Sequence, residues 1–314
     1  MKVRRMMVGV IFFLLAGFLS GCSDNGKEPP PSREGYRFAD ALDQEIAVQK
    51  PERVVALMGS FAEIWLDAGG ELTAVTDDAF EERGLTLPEP VVTVGTYNNP
   101  SVEQILACDP DFVILSSETK EHVALKETFK QAGITAAYFE VTYFEDYLKM
   151  LKICTDITGR DDLYEKNGLA VKEQIHTIIT KSKDQTPKTV LFLITYSGGA
   201  IVKNSQCMTG KMLKDLGCVN IADQNQSLLK EFNIESIIKA DPDYIFVVAM
   251  GNDEELAEKN LKKTVENNPA WNGLSAVQNG RYIILPKEKF LYKPDAKWGD
   301  SYAYLSEILY GNQS

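Results

Sequence analysis

The chain has 314 residues, of which 44% are hydrophobic and 25% are charged, and its formal net charge is −12. This length fits two medium-sized domains better than one small core, and the composition is that of an ordinary globular protein. The excess of negative charge argues against a nucleic-acid-binding surface, which would need a basic face. We expect no nucleic-acid partner.

Residues 1–21 are typical of a secretory signal peptide. MKVRR carries three positive charges, and the uncharged run MMVGVIFFLLAGFL after it is shorter than the span of about 20 apolar residues that a membrane helix needs. The run closes on LSGC, which resembles the lipobox of bacterial lipoproteins. That resemblance implies acylation of Cys22 and cleavage before it, so that the protein is anchored on the outer side of a membrane. A plain signal peptide with an incidental Cys22 is the alternative.

Residues 22–35 predict a flexible tether between the lipid anchor and the fold. The segment SDNGKEPPPSREG has no apolar side chain that could join a core, and it contains three consecutive prolines. The folded part of the chain should therefore begin near residue 36.

Strands and helices then alternate along most of the chain. Strands are predicted at RVVAL, LTAVT, VVTVG, ITAAYFE, TVLFLIT and GRYIILP, and helices at SFAEIWLDAGG, HVALKETFKQAG and TGKMLKDLG. This alternation argues for α/β lobes, one over residues 36–143 and one over residues 184–314. Residues 144–183 show helical patterns without a strand, which predicts a helical connector that crosses between the lobes once.

One fifteen-residue pattern occurs twice, 132 residues apart. SVEQILACDPDFVIL begins at Ser101 and NIESIIKADPDYIFV begins at Asn233, with five identical positions. In each copy a polar residue caps a short helix, an Asp-Pro pair ends it, and a continuous apolar run follows. Such a run is expected of a strand covered on both faces of a parallel sheet. Each copy therefore predicts a helix followed by a buried strand.

The segments PERVV, VGTYNNPSVEQILACDPDFVIL, the second copy at Asn233 and the closing KWGDSYAYLSEILYG together resemble one family. It is that of the class III ABC-transporter substrate-binding lipoproteins for chelated iron, haem or cobalamin. The resemblance covers nearly all of the mature chain. It implies two Rossmann-like α/β lobes joined by a single long connecting helix, with a ligand cleft between the lobes.

The same resemblance implies the function and the partners. A monomer would capture a ferric siderophore, haem or cobalamin and deliver it to an ABC permease dimer in the membrane, with no catalysis and no cofactor of its own. In that family one Glu on each lobe contacts basic residues of the permease. The matching residues here are Glu103 and Glu235.

Ligands of open α/β sheets bind beyond the carboxyl ends of the strands, where the predicted loops contain glycines, hydroxyl groups and aromatic rings. The expected ligand-binding residues are Met58, Ser60, Phe61, Thr96, Tyr97, Asn98, Ser117, Tyr143, Tyr196, Ser197, Met250, Phe290 and Tyr292. For each aromatic residue the alternative is a core or rim position, and for each methionine it is a gap filler in the core. Lys203, Lys287 and Lys289 either pair with an anionic siderophore or lie on the solvated surface.

Several other classes are disfavoured. A bare metal ion would need more than His122 and His176, which fall on separate helices. The acidic segment 77–82 lacks EF-hand spacing and predicts a solvated loop. GxSxG, P-loop, GxGxxG and HExxH motifs are absent from the sequence, which argues against an enzyme. A scavenging or sensory surface lipoprotein of the same fold remains the alternative to transport.

The four cysteines after Cys22 form no CxxC pair. Cys108 and Cys154 fall on apolar helix positions and are predicted to lie in the core. Cys207 and Cys218 form either a disulfide or two free thiols, and an exported location permits both.

Overall fold

The computed structural model describes residues 35–230, 232–251, 259, 262 and 268–311. The predictions of a signal peptide, of lipidation at Cys22 and of most of the tether fall on residues 1–34, outside the described part of the chain. Among the described helices, none is long and apolar enough to cross a membrane.

The N-terminal lobe is built on a five-stranded parallel sheet. In spatial order its strands are Val92–Thr93, Ala74–Val75, Val54–Ala56, Phe112–Ser116 and Thr135–Phe139. All five residues of Phe112–Ser116 are buried, as its apolar run predicts for a strand with neighbours on both sides. The helices of this lobe are Gly59–Asp67, Asp78–Glu81, Val102–Ala107, Lys120–Val123 and Lys126–Ala132. Two antiparallel pairs accompany the sheet, Tyr36–Ala39 with Glu45–Val48 and Gly95–Thr96 with Asn99–Pro100.

The C-terminal lobe is built around the strand Thr189–Tyr196. On one side it pairs in parallel with Tyr244–Ala249, which in turn pairs with Tyr282–Ile284. On the other side it pairs in parallel with Val219–Asn220 and antiparallel with Gly199–Lys203. The antiparallel strand is absent from the sequence-based prediction, which treats TYSGGA as a ligand loop; the structure makes this segment the turn of a hairpin.

Short helical segments cover the C-terminal sheet, and a longer helix closes the described chain. The α-helices are Met208–Asp215, Ile221–Gln224, Ile234–Ala240, Ser275–Gln278, Lys287–Phe290 and Trp298–Tyr310. The 3-10 helices are Gln226–Leu229, Trp271–Gly273 and Asp295–Lys297.

Two consecutive helices link the lobes. Phe144–Thr158 ends at Gly159, whose φ of 72° lies in the left-handed region that favours glycine, and it packs on Gly59–Asp67 of the N-terminal lobe. The backbone is then helical from Asp161 to Ser182, with a π-helical turn at Glu165–Leu169. At 1.5 Å per residue this second helix is about 33 Å long. Its last part, Ala170–Ser182, packs on the closing helix, so the chain crosses between the lobes once along it.

The duplicated pattern forms the same helix twice. Val102–Ala107 begins after Ser101, whose hydroxyl accepts a hydrogen bond from the Gln104 amide at 3.4 Å. Ile234–Ala240 begins after Asn233, whose side chain accepts one from the Ser236 amide at 2.9 Å. The N-caps predicted at Ser101 and Asn233 are therefore confirmed.

The aspartates of the two Asp-Pro-Asp runs also have equivalent roles. Asp109 and Asp241 end the helices with positive φ angles of 46° and 39°. Asp111 accepts a hydrogen bond at 3.0 Å from the amide of Arg53, the residue before the neighbouring strand Val54–Ala56. Asp243 accepts one at 2.8 Å from the amide of Thr189, the first residue of the neighbouring strand Thr189–Tyr196. Each copy thus anchors a helix and a strand to the central strand of its lobe.

A continuous apolar core extends through both lobes. It contains strand residues of the N-terminal sheet such as Phe112, strand residues of the C-terminal sheet such as Phe192, and the helices between them. Phe144 and Trp298 meet edge-on in this core, with ring centroids 6.0 Å apart. The lobes are therefore packed together along the side that carries the connecting helices.

Candidate functional site

A cleft lies between the lobes, beyond the carboxyl ends of several strands, with a cavity volume of about 150 Å³. This volume is smaller than the about 300–1,000 Å³ that is usual for small-molecule sites. The N-terminal lobe contributes Met58, Ser60, Asp78, Glu82, Arg83 and Tyr97 to its walls, and the C-terminal lobe contributes Leu291, Tyr292 and Lys293. Seven of these nine side chains carry a charge or a hydroxyl group, and most of the exposed surface of the lining is apolar.

Asp78 fixes one corner of the cleft. Its side chain accepts a hydrogen bond at 2.6 Å from the Gly59 amide, at the start of helix Gly59–Asp67. Gly59 is required there, because a Cβ atom at this position would lie 2.8 Å from the Ala79 amide nitrogen. Asp78 is 6% exposed, and burial raises the pKa of its carboxyl. Two loops that follow neighbouring strands are thereby held against each other at the cleft wall.

His122 fixes the loop that carries Tyr97 by a hydrogen bond to its backbone. Its Nδ1 accepts a hydrogen bond from the Ser116 amide at 3.0 Å, so Nε2 carries the proton and donates it to the Tyr97 carbonyl at 2.7 Å. The side chain is fully buried, and burial lowers the pKa of the imidazole. His122 is therefore a neutral positioning residue, and both of its ring nitrogens are occupied.

Tyr97 and Tyr292 face the cleft from opposite lobes. Burial raises the pKa of Tyr292 to about 12, and the pKa of Tyr97 is raised in the same direction by the same cause. Both phenols thus stay protonated at neutral pH. They present hydroxyl groups and flat aromatic surface on the two sides of the cleft.

Arg83 forms a buried bridge between the lobes at the edge of the cleft. Its side chain is 8% exposed and forms ion pairs with Glu63 of the same lobe and Asp295 of the other, the latter at 2.6 Å. It also donates a hydrogen bond to the Lys293 carbonyl at 2.7 Å. Burial raises the pKa of Asp295, which is 0% exposed, and the charge of Arg83 opposes that rise. The guanidinium group therefore fastens segment 293–295 to the N-terminal lobe.

Asp67 lies beside this cluster without a partner for one of its oxygens. Its Oδ2 is buried and has no hydrogen bond within the described structure. Burial, reinforced by the charge of Glu63, raises the pKa of the Asp67 carboxyl to about 6. Because the pKa is higher in the folded chain than in the unfolded chain, this carboxyl favours folding most at acidic pH. That contribution is lost as the pH rises through 6.

Asp67→Asn should therefore stabilise the protein at neutral pH. We expect the free energy of unfolding to rise by about 1–2 kcal/mol at pH 7.5, and the difference from wild type to shrink towards zero near pH 4. Urea unfolding of both proteins at pH 7.5, 6 and 4.5 measures this. Asp184→Asn, at an exposed position, is the matched control and should stay within about 0.5 kcal/mol of wild type. A destabilised Asp67→Asn protein at pH 7.5 would contradict the argument.

Four residues of the predicted ligand set line the cleft: Met58, Ser60, Tyr97 and Tyr292. Phe61 and Phe290 instead lie in the core, with 0% and 2% exposure. Phe61 belongs to helix Gly59–Asp67 and points to its buried face, while the Phe290 ring packs against Tyr304 at a centroid distance of 5.6 Å. The core alternative for an aromatic residue thus applies to these two.

The other predicted ligand residues do not line this cleft. Thr96 donates a hydrogen bond to Asn98 within their loop at 2.7 Å, and Ser117 donates one to a main-chain carbonyl of the neighbouring strand at 3.2 Å. The Tyr143 hydroxyl bridges the lobes by donating to the Gln206 carbonyl at 2.7 Å. Contact of these residues with a ligand stays a prediction.

The remaining three lie on the C-terminal lobe. Tyr196 ends a strand and Ser197 follows it in the hairpin turn, and Met250 follows the strand Tyr244–Ala249 with 42% exposure. They too are outside the described cleft lining. Their role in ligand contact also stays a prediction.

Five lining residues are absent from the predicted set: Asp78, Glu82, Arg83, Leu291 and Lys293. The prediction of a solvated loop at residues 77–82 is wrong for Asp78, which is buried, and for Glu82, which is half-buried. Their position directly after the strand Ala74–Val75 is the signal that indicates the cleft. Lys293 lies one residue beyond the predicted loop KEKFLY.

The cysteines and histidines add no metal or disulfide site in the described residues. Cys207 and Cys218 are free thiols, and Cys154 is fully buried, as predicted for a core position. Cys108 is half-buried and packs at the edge of the core. Across the described ranges, no three His, Cys, Asp or Glu side chains converge in a way that could hold a metal ion.

Glu103 and Glu235 lie outside the cleft, at equivalent places in the two copies of the duplicated unit. Each is exposed in the first turn of its helix, and neither carboxylate forms an ion pair within the part of the chain that the structure describes. Three residues further along each helix is an exposed apolar side chain, Leu106 at 41% and Ile238 at 36%. The two lobes thus present the same combination of one acidic and one apolar side chain.

The sequence matches a known protein family and a named relative. Residues 54–289 match a protein-family model described as "Periplasmic binding protein". The Fe(3+)-citrate-binding protein YfmC of Bacillus subtilis is 24% identical over 86% of this chain and 86% of its own length.

Solved structures show the same fold. An ABC transporter substrate-binding protein from Listeria monocytogenes superposes with a TM-score of 0.67 at 21% identity, covering 84% of this chain and 100% of that one. The Staphylococcus aureus IsdE structure with heme gives a TM-score of 0.67 at 18% identity, covering 82% of this chain and 98% of that one. The predicted fold class, two α/β lobes with a connecting helix and a cleft between them, is confirmed.

Proposed function

This chain belongs to the periplasmic binding protein family, and we propose that it is the solute-binding component of an ABC importer for an iron chelate, haem or cobalamin. The observation that carries the proposal is the cleft between two lobes, within a family match that spans both of them. The names of similar proteins support the ligand range, since YfmC is named for Fe(3+)-citrate and IsdE was solved with heme.

The cleft is suited to binding a molecule rather than to transforming it. A nucleophilic Ser60 would need a base within hydrogen-bond reach. His122 is buried with both ring nitrogens engaged, and His176 is exposed on the connector helix. The polar groups of the cleft therefore act as hydrogen-bond donors, acceptors and charges that orient a ligand.

Delivery needs a surface that a permease recognises. In this proposal Glu103 and Glu235 contact basic residues of the permease, one from each lobe, and Leu106 and Ile238 add apolar contact beside them. The exposure of both pairs and the absence of an ion pair at either Glu within the described residues support this role. Exposed carboxylates contribute little to folding, about 0–1 kcal/mol each, so stability alone gives no reason for repeating them.

The proposal also includes a lipid anchor. Acylation of Cys22 would hold the protein on the outer side of the membrane, since two acyl chains suffice for stable anchoring. The protein would work as a monomer, and residues 23–35 would give it reach to a permease in the same membrane.

The double variant Glu103→Arg/Glu235→Arg tests the proposal. We expect ligand uptake by cells to fall at least about tenfold, because like charges then meet at both contacts, while ligand affinity of the purified protein stays within about twofold. Uptake of labelled iron chelate in a strain lacking the native gene measures the first quantity and calorimetry the second. Glu127→Arg is the control, since Glu127 is also an exposed acidic residue in the first turn of a short helix.

Unchanged uptake with the double variant would reject the docking role. If uptake also stays unchanged when the whole gene is removed, the importer proposal fails and the scavenging or sensory alternative stands. If the purified protein binds none of the proposed ligands, the ligand range itself is wrong.

A further inference from the structure

Lys293 has an unusual environment among the cationic residues of this protein. It lines the cleft from the C-terminal lobe and is half-buried, with its ammonium nitrogen 5.8 Å from the centroid of the Phe61 ring. The described residues supply neither an ion pair within 4.0 Å nor a hydrogen bond to this ammonium group. A charge that is partly removed from water without a partner is unfavourable unless something else supplies the counter-charge.

The position of Lys293 is fixed by its neighbours along the chain. Its carbonyl accepts a hydrogen bond from Arg83 at 2.7 Å, and Asp295, two residues on, is held by the same guanidinium group at 2.6 Å. The Phe61 ring is rigid because it is fully buried, and its face attracts a cation. The ammonium group is therefore held at the cleft wall.

Arg83 does not contribute a second uncompensated positive charge to the cleft. It is the other cationic side chain among the described cleft residues, but its charge is already compensated by Glu63 and Asp295. Its guanidinium group holds the lobes together instead. The uncompensated positive charge of the described cleft thus belongs to Lys293.

The acidic groups nearby do not neutralise Lys293 either. Asp78 and Glu82 line the cleft, and Asp78 is committed to the Gly59 amide. Burial lowers the pKa of Lys293, and the charge of Asp295 opposes that lowering, as does the charge of Glu118, which is exposed on the N-terminal lobe. Its carboxylate lies beyond ion-pair distance of Lys293. The counter-charge of Lys293 comes either from Glu118 or from a ligand, and the experiment below distinguishes the two.

We infer that Lys293 is the anion-recognition residue of the cleft, and that the natural ligand is an iron chelate that presents a free carboxylate or another anionic oxygen to it. The inference rests on the proposed function and narrows its ligand range. Cobalamin offers fewer anionic oxygens, because the amides around its corrin ring are neutral and its one anionic group is the phosphodiester of the nucleotide loop. Haem propionates carry the same anionic oxygens, so haem binding through Lys293 is one outcome of the test.

The test compares the binding of three probes by calorimetry with the purified mature protein: ferric citrate, haem and cyanocobalamin. We expect wild type to bind ferric citrate, and Lys293→Met, which keeps the length of the side chain, to lose at least about tenfold in affinity. Lys293→Arg, which keeps the charge, should lose less. Lys289→Met is the matched control at a half-buried lysine four residues earlier that does not line the cleft, and it should stay within about twofold of wild type.

Glu118→Gln separates the two sources of counter-charge. If the ligand supplies the counter-charge of Lys293, Glu118→Gln leaves the affinity for ferric citrate within about twofold of wild type. An equal loss in Glu118→Gln and Lys293→Met would mean that these residues pair with each other to close the lobes, and it would overturn the inference. Thermal unfolding of each variant shows that it is folded, and Lys293→Gln replaces Lys293→Met if the latter is not.

The other possible binding results also support or overturn the inference. Haem binding that is weakened by Lys293→Met supports the anionic contact and identifies propionate as its source. Binding of cyanocobalamin alone, or of any iron complex with an affinity that Lys293→Met leaves unchanged, overturns the inference while the proposed function stands. Failure of wild type to bind all three probes means that the ligand range of the proposed function is wrong, and it overturns the inference as well.

Discussion

Replacing Arg83 with Met is expected to lower the free energy of unfolding by about 3–5 kcal/mol, the loss typical of removing one partner from a buried ion pair. Asp295 is 0% exposed and would keep a buried carboxylate without its main partner. The Lys293 carbonyl would lose a donor at the same time. Met preserves most of the apolar stem of the side chain. The decrease in the free energy of unfolding therefore measures the lost charge and hydrogen bonds rather than lost packing.

Urea unfolding at neutral pH measures this loss. The control is Arg53→Met, because the ion pair of Arg53 with Asp109 is exposed, at 44% and 91%, and should contribute less than about 1 kcal/mol. A double variant, Arg83→Met with Asp295→Asn, should recover part of the stability, since it removes the buried carboxylate of Asp295 while Glu63 keeps its charge. Asn is chosen because Asp295 has a φ of 48°, in the left-handed region that Asn tolerates. A loss below about 1 kcal/mol in Arg83→Met would show that the bridge between the lobes is not a stabilising element.

Trp298→Ala is expected to have an effect of similar size through a different cause. Trp298 begins the closing helix, is 1% exposed and packs edge-on against Phe144, from the first of the two linking helices. Removing a buried Trp side chain lowers the free energy of unfolding by about 3–5 kcal/mol, because apolar burial is lost and a cavity remains. Both lobes share this part of the core, so stability of the whole molecule should fall.

Trp298→Phe is the matched control for that prediction. The indole Nε1 is buried without a hydrogen-bond partner in the described structure, so the change to Phe removes volume but no hydrogen bond. We expect a loss of about 1–2 kcal/mol, clearly smaller than that of Trp298→Ala. Equal losses in the two variants, measured by urea unfolding, would mean that the indole ring contributes through something other than packing.

Several elements of the fold are predictable from the sequence because their causes are local. The strand Phe112–Ser116 follows from five consecutive residues that suit a surface buried on both sides. The helix starts at Ser101 and Asn233 follow from side chains that accept hydrogen bonds from the amides three residues further on. The duplication itself is visible in the sequence and forms the same structure in both lobes.

The direction of side chains near the cleft is less predictable. Phe61 follows a strand, as ligand-contacting residues often do, but it lies inside a helix and shares its buried face with Ile64 and Trp65. Helical periodicity rather than proximity to the strand end decides where its ring points. Asp78 shows the opposite case, because its acidic surroundings predict solvent exposure and a hydrogen bond from Gly59 buries it.

The sequence by itself determined most of the order of strands and helices, the two-lobed class and the equivalent positions of Glu103 and Glu235, since periodicity, capping and repetition act over a few residues. The hairpin strand Gly199–Lys203 is an exception. Tertiary structure decided which charges of the cleft are compensated. Arg83 and Asp295 are 212 positions apart, and no local pattern shows that they meet. A lysine such as Lys293 looks like any surface lysine until packing of the lobes removes water from one side of it. Burial and long-range pairing decide which charges are compensated, and both depend on how the lobes pack.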